Sequence, residues 1–152
     1  MADKKLGITV AGSLIADVFY DVDSFPKEGF LTNVRNTSFN VGGSGNLILD
    51  LAKLNSELCV KVCAVIGDDE RGRDTLGVLS KYPGIDTSCI KLEGQSATCM
   101  VMNAEDTKQR TFFYIPASSD AFNISHIDFE ELDTKIFHLE YLLLMKQVDS
   151  PD

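Results

Sequence analysis

The chain has 152 residues, 44% hydrophobic and 24% charged, room for one domain with a sizeable core and not a disordered composition. Its formal net charge of −9 disfavours non-specific nucleic-acid binding and docking on anionic membranes. The apolar segment Leu6 to Leu14 is too short to span a bilayer and runs into Asp17, Asp21 and Asp23, so a cytoplasmic protein with neither nucleic-acid nor membrane partner is expected. Residues 7–14 read as a first strand, apolar on both faces and hence interior to a sheet. Residues 17–22 and 30–41 follow as two further strands, joined by the turn Phe25-Pro26-Lys27-Glu28-Gly29. The run Gly42-Gly43-Ser44-Gly45 leads into a helix whose apolar positions Leu47, Ile48, Leu51 and Leu54 keep helical spacing. Residues 58–66 are another nearly continuous apolar run, suited to a buried parallel strand. Asp68 and Asp69 are capping candidates for a helix over 70–82.

Residues 87–92, 97–103 and 110–115 are strand-like, the last two forming a hairpin through the polar stretch 104–109. A helical stretch over 125–132 precedes an apolar strand at 135–141, and the chain closes on Val148-Asp149-Ser150-Pro151-Asp152. Alternation of this kind belongs to an α/β fold. The strands at 7–14, 58–66 and 135–141 suit a parallel sheet. Those at 17–22, 30–41, 97–103 and 110–115 suggest a small β-sheet projecting from its edge like a lid. So short a parallel sheet looks unfinished.

Four motifs offer chemistry. Asp17 lies just past the carboxyl end of the first strand, where open α/β sheets bind ligands. An ionised Asp there grips two neighbouring hydroxyls through its two oxygens, or is a solvated strand-end acid. In Gly42-Gly43-Ser44-Gly45-Asn46 the glycines let backbone approach a ligand, the following helix points free N–H groups at it, and Asn46 offers donor and acceptor. The alternative is an ordinary strand-to-helix turn; neither the P-loop nor the dinucleotide fingerprint is present. Gly67-Asp68-Asp69-Glu70-Arg71-Gly72 reads as a structural turn, and Glu140 as a crevice carboxylate or one half of a local ion pair. Four cysteines without a CxxC pair, and isolated His126 and His138, give no zinc spacing; buried reduced thiols are expected.

In order and spacing these segments resemble the ribokinase-like (PfkB) carbohydrate kinase family. The features that carry the resemblance are Gly12 through Asp17, Gly42 to Asn46, Gly67 to Gly72, Gly84-Ile85-Asp86-Thr87-Ser88, Arg110 to Pro116 and Ile136-Phe137-His138-Leu139. The resemblance implies that residues 1–152 are the N-terminal portion of one ribokinase-like α/β/α sandwich, incomplete, with lid segments at about 15–41 and 96–117. It implies an ATP-dependent kinase acting on a sugar or nucleoside hydroxyl. By position, Asp17 and Asn46 would bind substrate hydroxyls, and Gly42 and Gly43 would let backbone close on the sugar. Thr98, Met100 and Phe113 would form an apolar lid wall, and Glu140 falls where some relatives contact sugar. Lid strands in the family often pair between subunits, which implies a homodimer by that route.

The chain departs from the family pattern at Ile48, Asn55 and Ala117-Ser118-Ser119. It also lacks the family's Gly-Ala-Gly-Asp turn, where a helix N-terminus holds the transferring phosphates and an aspartate activates the acceptor hydroxyl. The expectation is a truncated enzyme, with no catalytic residue of its own and ATP and Mg belonging to the complete protein. The competing expectation is a non-catalytic sugar-binding or partner-dependent lid module.

Overall fold

The computed structural model describes residues 7–150; Met1 to Leu6 and the closing Pro151 and Asp152 lie outside the described residues. Strand β1 (Gly7–Gly12) is flanked by β4 (Cys59–Ile66) and β8 (Ile136–Glu140), and β5 (Ile85–Leu92) adds to the far side of β4. All three pairings are parallel, giving the order β5-β4-β1-β8. The nearly unbroken apolar run of β4 reflects burial on both faces. Val60, Val62, Ala64 and Ile66 enter one core with Ile48 and Leu49 of helix α1 (Ser44–Leu54) and Leu79 of α2 (Glu70–Leu79). Cys63 and Val65 enter a second core with Phe122, Ile127 and Met145. Among the described residues that second face is covered by the short helices α3 (Ser118–Ala121) and α4 (Lys146–Asp149), a 3₁₀ turn at Ile124–His126 and the loops that flank them, which carry Phe122, Ile127, Leu132 and Met145. The chain is therefore an α/β/α sandwich with one thin layer.

A second sheet, in the order β3-β2-β6-β7, is built from β2 (Leu14–Val22), β3 (Val34–Gly43), β6 (Thr98–Ala104) and β7 (Arg110–Ile115). β2 runs antiparallel to β3 and parallel to β6, and β6 and β7 form the hairpin expected from sequence.

Several boundaries differ from the sequence reading. The first strand does not continue to Leu14. It breaks at Ser13, whose N–H donates to the Glu140 carbonyl (3.2 Å) and whose carbonyl accepts from the Ser44 N–H (2.9 Å) and hydroxyl (2.8 Å). These bonds hand the chain from one sheet to the other, so the strand expected at 17–22 begins at Leu14. The strand expected at 30–41 starts only at Val34 and runs on through both glycines, which pair with Ile15 and Leu14. The strand foreseen at 87–92 begins at Ile85 and joins the main sheet, because β4 buries both faces and so demands a neighbour on each side. Helix α2 stops at Leu79 rather than Tyr82, and the helical stretch foreseen at 125–132 shrinks to the 3₁₀ turn. Among the described residues no helix is long and apolar enough to cross a membrane.

Candidate functional site

β2 carries Asp17 in the middle of a four-strand row. Its neighbour on β3 is Asn40, its neighbour on β6 is Cys99, and Cys99 in turn faces Tyr114 of β7. Side chains paired in register project from the same face of a sheet, so Asn40, Asp17, Cys99 and Tyr114 form one polar line across it. The Asp17 carboxylate is half-buried and accepts no hydrogen bond from any described residue. Burial pushes its pKa from an ordinary 3.8 up to about 6. The Cys99 thiol is pushed up too, by burial first and then by the charge of Asp17.

A further row, four residues along the same strand and on the same face, shows what a satisfied carboxylate looks like here. Asp21 accepts from Asn36 (3.1 Å) on one side and from Asn103 (2.8 Å) on the other, and these bonds hold it below the usual carboxylate range. The inner row repeats the Asn–Asp pairing and leaves it open.

Beneath Asp17 lies the glycine turn. A Cβ at Gly42 would overlap the Asp17 carboxylate, so only glycine lets this backbone pass under it. Gly43 has φ 60°, and a Cβ there would overlap the Ser13 carbonyl. Gly43 is also the N-cap of α1, which has neither a side-chain cap nor an acid in its first turn. Free N–H groups and the positive end of the helix dipole therefore remain available beside Asp17. Asn46, in that first turn, is exposed and bonds to no described residue. A carboxylate that only accepts, an amide that does both, and backbone N–H donors together suit a molecule rich in hydroxyls.

The other residues expected in the site fall differently. Glu140 ends β8 beside Gly12, but its side chain turns back along its own strand to His138 Nε2 (3.0 Å). Its backbone carbonyl, rather than its carboxylate, meets the Ser13 turn. Thr98, Met100 and Phe113 lie on the opposite face of the second sheet from Asp17. Thr98 pairs with Ala16, while Met100 pairs with both Val18 and Phe113. Phe113 joins Met102, Val22, Phe25 and Val34 around an apolar cleft of about 220 Å³, and the Thr98 hydroxyl is spent on the Ser96 carbonyl (3.1 Å). The sheet face that Asp17 shares is instead walled by Cys99 and Tyr114. Sequence reasoning missed these two and Asn40; alternation from Asp17 marks a face, but only strand register names its occupants.

The acidic turn is structural. Asp69 accepts from Gly72 N (2.8 Å), Ser96 N (2.8 Å) and Ser96 Oγ (2.6 Å), capping α2 and pinning it to the start of β6. Burial alone would raise this carboxyl, but the bonds from Ser96 and Gly72, with the charge of Arg73, bring it below its ordinary range.

A parallel sheet with helices on both faces and a second sheet rising from it make up a ribokinase-like fold. A profile described as pfkB family carbohydrate kinase matches residues 5–150. The chain therefore belongs to the pfkB family of carbohydrate kinases. Among solved structures it is similar to a ribokinase from Thermotoga maritima (22% identity, TM-score 0.75), covering 87% of this chain and 44% of that one. It is also similar to a Methanocaldococcus jannaschii nucleoside kinase of the ribokinase family (15% identity, TM-score 0.70), covering 88% and 44%. An Arabidopsis thaliana ribokinase complexed with ribose and ATP matches at 20% identity and TM-score 0.62, covering 76% and 37%. The chain thus spans less than half the length of these structures. No curated protein matches it.

The family implies ATP and a divalent metal. Among the described residues no group of His, Cys, Asp or Glu is arranged to hold a metal ion. The open carboxylate of Asp17 would moreover repel a triphosphate. The chemistry around Asp17 fits a hydroxyl-bearing molecule better than a metal-bound triphosphate.

Proposed function

We propose that this chain is the substrate-holding part of an ATP-dependent sugar or nucleoside kinase, with the nucleotide-holding and catalytic part outside these residues. The observation that carries the reading is the half-buried, unpartnered Asp17 carboxylate above Gly42, at the uncapped N-terminus of α1. Asp17 accepts from two neighbouring substrate hydroxyls, Asn46 donates to or accepts from a third group, and Gly42 and Gly43 keep the backbone close to the ligand. The second sheet acts as the lid over this grip, with segments at about 15–41 and 96–117, and Glu140 contributes through its backbone. Phosphoryl transfer depends on positioning and charge neutralisation around the phosphates, for which the described residues offer no anion-holding turn beyond α1 and no metal ligands. The chain by itself is accordingly inactive, ATP and Mg being held by the complete protein.

A second reading, a non-catalytic module that works with a covering partner, rests on the outer edge of the main sheet. There Ile136 and Phe137 of β8 remain 54% and 38% exposed, with Leu142 and Leu143 just beyond. Continuation of the same polypeptide or a separate chain would cover such a surface equally well. Dimerisation through the lid strands is proposed on the exposed Phe113 and Val34 around the apolar cleft.

Titration of the chain with a panel of pentoses, hexoses and nucleosides tests the grip. Asp17→Ala should weaken the binding of whichever compound binds by about 10- to 100-fold, the worth of a charged hydrogen bond. Unchanged affinity would make Asp17 a surface acid, and ATP-dependent turnover by the chain alone would overturn the division of labour.

A further inference from the structure

The Asp17 face of the second sheet carries more than its polar row. Two residues along β2, about 7 Å further from the base of the strand, Phe19 occupies the same face. It pairs with Ser38 of β3 and with Val101 of β6, and Val101 pairs with Phe112 of β7. This second line is apolar except at its β3 end. Val101 is buried, Phe19 is half-buried, and Phe112 is 59% exposed. Beyond it the face closes with Asn36, Asp21 and Asn103, where both amides donate to the Asp21 carboxylate. From the glycine turn outward, the face therefore presents an open polar line, an aromatic line one ring further out, and then a polar line whose carboxylate is already paired on both sides.

A bare pentose engages only the first line and leaves the aromatic line wet. A ligand with a polyhydroxyl ring joined to a flat aromatic ring engages both at once. Base-to-aromatic stacking tolerates any base, since each has a π-face, so the aromatic line selects the class of ligand rather than its identity. We propose that the substrate of this site is a nucleoside, its ribose hydroxyls held at Asp17 and Asn40 and its base lying against Phe19 and Phe112. Asn40 acts as a second hydroxyl reader: it is directly opposite Asp17, exposed, and bonded to no described residue. The inference rests on the reading of Asp17 as the hydroxyl grip and adds the substrate class to it.

The neighbouring phenylalanines of β7 supply the control, because Phe112 faces the Asp17 side and Phe113 the opposite one. The ¹⁵N-labelled 152-residue chain is titrated by NMR with adenosine, uridine and methyl β-D-ribofuranoside, which carries the same sugar without a base. The nucleosides should bind about tenfold tighter than the furanoside, the scale of one stacking contact. Phe112→Ala should bring the affinities together, and Phe113→Ala should leave their ratio unchanged. Equal affinity for nucleoside and furanoside, both lost in Asp17→Ala, would overturn the nucleoside assignment while sparing the grip. Binding that ignores Asp17 would overturn both. A Phe112→Ala variant that changes self-association in sedimentation, with the ratio intact, would make the aromatic line a contact between chains and also overturn the inference.

Discussion

Replacing Asp17 by Asn removes a charge while keeping the side chain's shape, and it separates the demands of function from those of folding. Burial raises the pKa of Asp17 from 3.8 to about 6 with no compensating hydrogen bond. At about 1.4 kcal/mol for each tenfold change in proton affinity, such a rise would correspond to about 3 kcal/mol in a fully buried group. Asp17 is only half-buried, and solvent screening reduces the figure to about 1–2 kcal/mol. The sign follows from proton uptake. Between about pH 4 and 6 the folded chain retains a proton at Asp17 that the unfolded chain has released, so this group's contribution to stability falls as pH rises through that window. Above it the full penalty of the buried charge remains. Urea unfolding of the two proteins should show Asp17→Asn more stable by about 1–2 kcal/mol at pH 7, the gain shrinking to a few tenths at pH 4. Comparing the variants at each pH cancels the opposite trend from Asp69 and Asp86, whose folded-state values are lowered. An Asn variant less stable at pH 7, or one with the same gain at both pH values, would refute the claim that this carboxylate is held open for a ligand.

Two further outcomes concern the scaffold. Asp69→Ala removes the α2 cap and every bond from Ser96, and should destabilise the chain by about 2–4 kcal/mol in urea or thermal unfolding; a loss below about 0.5 kcal/mol would mean the turn is not what ties α2 to β6. Gly43→Ala forces a side chain into φ 60° and against the Ser13 carbonyl, and should destabilise by about 1–3 kcal/mol by the same measurement. Unchanged stability there would show that the turn between the two sheets relaxes freely.

Much of the scaffold is legible in the chain because the relevant physics is local. The unbroken apolar run of β4, the helical spacing of Leu47, Ile48 and Leu51 in α1, and the glycine pair preceding it each announce themselves within a few residues, although Leu54 of the same series is exposed and Leu49 is buried in its stead. The membership of β6 and β7 in one hairpin was equally plain. Less local features were misread. The main sheet recruits β5, whose half-buried residues show no clean alternation and whose place is decided by what β4 needs beside it. The short helices α3 and α4 carry too few residues to leave a periodic trace.

The site divides along the same line. Sequence by itself determined which residues sit at the junction of the sheets, Asp17, Gly42, Gly43 and Asn46, because a glycine turn between strand and helix and an acid past a core strand are local signals. It could not decide which way the second sheet's residues face. Side chains alternate with a period of two, so one step of register exchanges the faces of a whole strand. That register is set by the parallel pairing of β2 with β6, between residues roughly eighty positions apart in sequence. Alternation within β2 already put Phe19 on the side of Asp17, but only tertiary pairing placed Cys99, Tyr114 and Phe112 there, and Thr98, Met100 and Phe113 on the side away from it. It likewise left the Asp17 carboxylate half-buried without a partner among the described residues, while Asp21, four residues along the same strand, found both of its own.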